Sequence, residues 1–144
     1  MSLRYLVLTG LFVVSLPLLW LWLTLLSPWT YQQPEGLPAM PESQQQVFVY
    51  GTLTHAPVRW LVYGRTGNPV AAQLAGFERQ GLDLAPNAHA QVNGLLLNVN
   101  VNELRRLDRY ERLGVRYERV RVRLSEGQQA WVYQRLNASP APVD

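Results

Sequence analysis

From Leu6 to Leu26, 21 consecutive residues carry no charge, LVLTGLFVVSLPLLWLWLTLL. A helix of about 20 apolar residues, rising ~1.5 Å per residue, matches a bilayer core ~30 Å thick. A surface helix of a soluble domain needs a polar face to meet water, and this segment has none. Trp20 and Trp22 lie in its second half, and Trp29 and Tyr31 follow it. Aromatic rings favour the lipid–water boundary. Pro17 is compatible with a transmembrane helix, where neighbouring groups can satisfy the freed carbonyl. A cleaved signal peptide would have an apolar region of ~7–15 residues ending in a small-x-small site. Leu25-Leu26-Ser27-Pro28-Trp29 offers no such site, so residues 1–29 are read as an uncleaved anchor.

Charge sets the expected orientation. Before the span stand only the amino terminus and Arg4; after it no basic residue occurs until Arg59, whereas Glu35 and Glu42 do. Basic residues stay on the cytoplasmic side. The N-terminus is therefore expected inside, and the rest of the chain periplasmic or otherwise extracytoplasmic.

Residues 30–45, rich in Pro, Gln, Ser and Glu, have the composition of a linker. Residues 46–137 can form one small domain, and 138–144 read as a loose tail. The absence of cysteine excludes thiol nucleophiles, thiolate metal sites and disulfides. His55 and His89 are too few for a histidine-based metal site without carboxylate help. No G-x-S-x-G motif supports a serine triad. All 13 basic residues are arginine, but a net charge of +3 is too small to argue for nucleic acid.

Within the domain, residues 46–50 read as a strand stopping at Gly51. Pro57 to Tyr63 reads as a short helix ended by Gly64. Strands are expected at 70–77, weakly at 82–85 with Pro86-Asn87 breaking it, and at 91–99, where Gly94 signals a bulge or a close backbone approach. Val101 to Leu113 is the best helix: Asn100 can cap it, Glu103 completes a capping box, and Gly114 suits a left-handed position past its end. Tyr117 to Leu124 alternates, with Val120, Val122 and Leu124 on one face and Arg119, Arg121 and Arg123 on a solvated one. Ala130 to Leu136 returns as its hairpin partner. The class is α+β with a mainly β, barrel-like core.

Helical periodicity places Leu104, Leu107, Asp108 and Glu111 on one face. The two leucines must point into the core, so Glu111 projects from the apolar side, near the negative end of the helix dipole. Both effects favour the protonated acid and raise its pKa, as general acid–base chemistry near neutrality requires. The alternative is a rim carboxylate paired with a nearby arginine.

Val47-Phe48-Val49-Tyr50-Gly51-Thr52-Leu53 resembles the VFVYGTL motif of the γ-glutamylcyclotransferase, or AIG2-like, family. Leu107-Asp108-Arg109-Tyr110-Glu111 is similar to its LD-x-x-E helix end. Tyr117-x-Arg119 and Ala130-Trp131-Val132-Tyr133 resemble its closing strands. The likeness spans residues 46 to about 136 and leaves out the apolar segment; the whole chain would be a membrane-anchored bacterial member. It implies a small six-stranded, mixed barrel-like fold with short helices, preceded here by one transmembrane helix. It also implies cyclisation of a γ-glutamyl amine or peptide to 5-oxoproline with release of the amine. Glu111 would be the acid/base, with Tyr50, Gly51, Thr52, Leu53 and Tyr117 binding substrate. The substrate's own α-amine is the nucleophile, so no cofactor or metal is required.

Two departures stand out. Many members carry Gly and Asn soon after YGTL, where this chain reads Thr54-His55-Ala56-Pro57-Val58-Arg59; Thr54, His55 and Arg59 thus lie where specificity could be set, and Arg59 could meet a second carboxylate. The common G-E-x-Y strand appears as Gly94-Leu95-Leu96-Leu97. The expected partners are a small γ-glutamyl molecule and, through the N-terminal helix, a lipid bilayer. A membrane-tethered binding module of the same fold is the alternative function. Binding of anionic polymers or lipid by the eight arginines between 105 and 123 is a further reading.

Overall fold

The computed structural model describes residues 3–27 and 29–136; the expected tail lies outside the described residues. The chain divides into two compact units, residues 1–32 and 33–144. The first contains α1 (Leu3–Leu25), a single helix of 23 residues with Pro17 inside it. Its window Val7–Thr24 is long and apolar enough to cross a membrane.

The second unit is a curved mixed sheet with short helices. In chain order it contains β1 (Gln45–Val49), a 3₁₀ turn (Thr52–Thr54), α2 (Ala56–Tyr63), β2 (Val70–Gln80), β3 (Asp83–Val99), α3 (Val101–Tyr110), β4 (Tyr117–Arg123) and β5 (Gln129–Arg135). The strand order is β2-β3-β1-β5-β4. β1 runs antiparallel to β3 and parallel to β5, with Val47 opposite Trp131. The backbone N–H of Ser125, just past β4, donates to the Gln73 carbonyl of β2 at 2.9 Å, drawing the two edges of the sheet together into a half-barrel.

Side-chain alternation explains why β1 is the centre of the domain. Successive side chains of a strand point to opposite faces. Phe48 and Tyr50 enter the concave core with Leu74, Leu84, Leu96 and Val132. Val47 and Val49 face the other way and are also buried, as are Leu104 and Leu107 of α3. The amphipathic α3 thus supplies a second apolar layer behind the sheet.

Five strands are present among the described residues where the resemblance implies six, because the expected strands at 82–85 and 91–99 form one strand of 17 residues. Pro86 does not break it. The missing N–H falls where the β2–β3 register shifts, between Ala75 and Phe77, and Gly76 absorbs the bend at φ 81°. Gly94 meets the expectation of close backbone approach: a Cβ there would lie 2.3 Å from the Val49 carbonyl oxygen and 2.7 Å from the Phe48 ring. One face of β4 departs from expectation. Arg119 is buried, 3.5 Å from Asp108 and above the Trp131 ring, which Arg121 also covers.

Candidate active site

The segment after β1 turns sharply. Thr54 and His55 donate their backbone N–H groups to the carbonyls of Gly51 and Thr52, and the Thr54 hydroxyl also donates to Gly51. The first N–H groups of any helical turn have no partner within it. In this turn those are the N–H groups of Thr52 and Leu53. Arg59 holds the turn from behind. It is buried, and its guanidinium donates to the carbonyls of Leu53 (3.0 Å), Thr54 (2.7 Å) and Thr66 (2.7 Å). This corrects both sequence readings of Arg59: it neither faces solvent nor waits for a substrate carboxylate. Thr54 is likewise turned into the loop, and of the three specificity candidates His55 alone is exposed.

The end of α3 supplies the carboxylate. Helical hydrogen bonding stops at Tyr110, three residues earlier than expected, and Glu111 is the C-cap. Leu113 N–H then donates to the Asp108 carbonyl and Arg112 N–H to the Arg109 carbonyl. These two bonds make a Schellman closure, whose left-handed residue is usually glycine. Here that residue is Arg112, at φ 53°; Gly114, expected there, takes its positive φ two residues later. A side-chain bond of 3.0 Å between Thr52 and Tyr110 ties the turn after β1 to this helix end.

Glu111 is partly buried, and among the described residues no ion pair or side-chain hydrogen bond reaches it. Desolvation alone pushes its carboxyl up to about 7. The rim-pairing alternative therefore fails. Its charge in turn raises the phenols of Tyr50, Tyr117 and Tyr133, and burial is the larger cause for each. Three tyrosines, one just past β1 and the others from β4 and β5, thus share the electrostatic surroundings of one carboxyl. The Tyr50 hydroxyl is held between the carbonyls of Leu82 (3.1 Å) and Tyr133 (3.3 Å), and its own carbonyl accepts from Arg79 at 3.0 Å. What the Tyr50–Leu53 segment leaves for a ligand is its backbone N–H groups. Gly51 has room in front of it: a Cβ would meet only the exposed Leu82, at 3.8 Å.

Sequence reasoning missed the supports of this site. Arg79 and Leu82 come from the β2–β3 hairpin, and no local motif marks them. Periodicity puts Asp108 on the apolar face but does not reveal its partners. Asp108 accepts from Tyr133 at 2.6 Å and faces Arg119, an alignment that requires β4 and β5 to be in register. Burial raises the Asp108 carboxyl, against the lowering effect of Tyr133 and Arg119. A separate concavity of about 220 Å³, lined by Tyr63, Arg65, Asn68 and Asn98, lies apart from this carboxyl, and its arginine is paired with Glu103.

The domain is thus a half-barrel that sets a desolvated carboxyl, without an ion pair among the described residues, near the turn that follows β1. Residues 47–143 match the family model described as "Gamma-glutamyl cyclotransferase, AIG2-like", and the chain belongs to that family. Two Arabidopsis thaliana proteins of known solution structure are similar to it. One is 29% identical over 67% of this chain and 72% of that one, with a TM-score of 0.57; the other is 26% identical over 72% and 68%, also with a TM-score of 0.57. A solved gamma-glutamyl cyclotransferase shares the fold at 18% identity and a TM-score of 0.55, over 67% of this chain and 69% of its own. No curated protein sequence matches the chain significantly.

Proposed function

We propose that this chain is a membrane-anchored γ-glutamylcyclotransferase that cyclises a γ-glutamyl amine or peptide to 5-oxoproline and frees the amine. The desolvated, unpaired carboxyl of Glu111 carries the reading. A substrate's α-ammonium gives a proton to Glu111, and the amine attacks the γ-carbonyl carbon, forming the ring C–N bond. Charge developing on the carbonyl oxygen meets the N–H groups of Gly51, Thr52 and Leu53. The ring nitrogen releases its second proton to water, the old C–N bond breaks, and Glu111 returns its proton to the leaving amine. Holding the substrate chain folded toward the five-membered ring supplies the entropic part of the rate. Tyr117, whose phenol feels the Glu111 charge, is the further substrate-binding side chain of this reading. The Leu3–Leu25 helix supplies the anchor, with its N-terminus on the cytoplasmic side and the domain outside.

Release of 5-oxoproline by the full chain, assayed against a panel of γ-glutamyl amines and peptides, tests this reading. Turnover is expected, with a loss of about 10²–10⁴-fold in Glu111→Gln. Because the carboxylate form is the base, kcat/KM is expected to rise through about pH 7. No turnover by folded protein would move the assignment to a binding module. Reporters fused to the C-terminus, one requiring the cytoplasm and one the periplasm, decide the side.

A further inference from the structure

The face of the domain turned away from the barrel interior is built by two neighbouring helices, and their outer surface has an uneven chemistry. On α2, Arg59, Val62 and Tyr63 point inward, which leaves Trp60 62% and Leu61 49% exposed. On α3, Glu103, Leu104, Leu107 and Asp108 point inward, leaving Arg105, Arg106 and Arg109 on the outer side. Both acids of α3 are thus buried: Glu103 is paired with Arg65, and Asp108 faces Arg119. Arg106 reaches across to the Tyr63 carbonyl at 3.1 Å, joining the two helices into one layer. The outcome is a surface with a large aromatic, a leucine and three arginines, and no carboxylate among its outward residues. Tryptophan and arginine favour the headgroup region of anionic bilayers.

Chain connectivity limits how far this layer can stand from the end of α1. Pro34 and Leu37 pack against Gly114, just past the end of α3, where an added Cβ would lie 3.0–3.1 Å from them. Only residues 26–33, eight in all, separate α1 from that docking point. At ~3.5 Å per residue they span no more than about 28 Å. A weak surface affinity becomes effective at such a tether length, because the local concentration of lipid is high.

We propose that the outer surface of the α2–α3 layer, through Trp60, Leu61, Arg105, Arg106 and Arg109, rests on the anionic lipid surface in which α1 is rooted. This inference rests on α1 being the anchor. Lying on the membrane would hold the domain in one orientation.

The chain has no cysteine, so a single one can be labelled. Full-length protein carrying Leu61→Cys, or Glu126→Cys in the β4–β5 turn, is labelled with a polarity-sensitive fluorophore. Each is reconstituted into phosphatidylcholine vesicles with or without phosphatidylglycerol, plus a headgroup-depth quencher. The Leu61 label is expected to be quenched several-fold more than the Glu126 label in anionic vesicles. The difference should vanish in neutral vesicles, in about 1 M salt, and in the Arg105→Glu/Arg109→Glu variant, whose melting is followed in parallel. Equal quenching of the two labels overturns the proposal, as does quenching indifferent to charge and salt. Flotation after alkaline washing reports the anchor separately: a chain that fails to float removes the anchor, and this inference with it.

Discussion

The two ends of α3 are built on opposite principles. At its N-terminus the capping groups are paired with one another. The Asn100 side chain accepts from Glu103 N–H at 3.0 Å, and Glu103 accepts in return from Asn100 N–H at 2.9 Å. The same carboxylate is held by Arg65, which also donates to the Asn98 carbonyl. At the C-terminus, Glu111 has no such partner among the described residues, and the helix closes through an arginine in the left-handed region. One carboxylate is lowered by its arginine, and the other is raised by burial alone. Helices welcome acids at the first terminus and repel them at the second. The comparison teaches that the secure end holds the helix in place, so that the insecure end can hold a carboxyl that titrates near neutrality.

Removing the acid from the insecure end should have the largest effect on stability. The native state binds the Glu111 proton more tightly than the unfolded chain does. The wild type therefore loses stability as pH rises from about 4.5 to about 7, by up to about 3 kcal/mol. Glu111→Gln has no such titration. Its urea-unfolding free energy relative to wild type should rise by about that amount across the same window, and a difference independent of pH would show that Glu111 is not desolvated. The variant expected to lose turnover is thus expected to be relatively more stable at pH 8.

Glu103→Ala removes half of the capping box and leaves Arg65 unpaired. A loss of about 1–2 kcal/mol is expected at pH 7, measured by thermal or urea unfolding. The sign with pH is opposite to that of Glu111. The Glu103 carboxyl is held below its ordinary value, so its contribution is present above about pH 4.5 and disappears as pH falls through the lowered value. A variant equally destabilised at pH 3 and pH 7 would locate the loss in packing rather than in the ion pair.

The smallest effect is expected at Arg112. Glycine relieves the cost of a left-handed residue at φ 53° but also loosens the unfolded chain. Arg112→Gly should therefore be neutral to about 1 kcal/mol stabilising. Arg112→Val should cost about 1–2 kcal/mol, because a β-branched side chain fits that region poorly. Equal stability of the two variants would mean that the closure does not require the left-handed conformation.

Local rules made much of this domain legible. The capping box is a four-residue pattern, and Asn100 and Glu103 form it as read. The inward aim of Glu111 follows from 3.6-residue periodicity once Leu104 and Leu107 are buried. Gly94 marked a close backbone approach that turned out to be the Val49 carbonyl. Other features were not legible because their partners are distant in sequence. Arg59 reads as a solvated helix residue until Thr66 and the turn at 53–54 converge on it. Arg119 reads as one of three solvated arginines until Asp108 and Trp131 meet it. The single strand through Pro86 depends on Gly76 across the ladder, which no pattern within residues 82–99 reveals.

Sequence alone determined the elements whose causes lie within a few residues. These are the apolar N-terminal helix, the α3 cap, the alternating strands and the face from which Glu111 projects. Tertiary structure decided what depends on closing long loops. It brought a turn at residues 50–54, a helix end at 111 and tyrosines at 117 and 133 around one carboxyl. It also buried Arg59 and Arg119 and left Glu111 without an ion pair among the described residues. The physical reason is range: helix dipoles, caps and periodicity act over one turn of chain, whereas desolvation depends on everything that packs around a group.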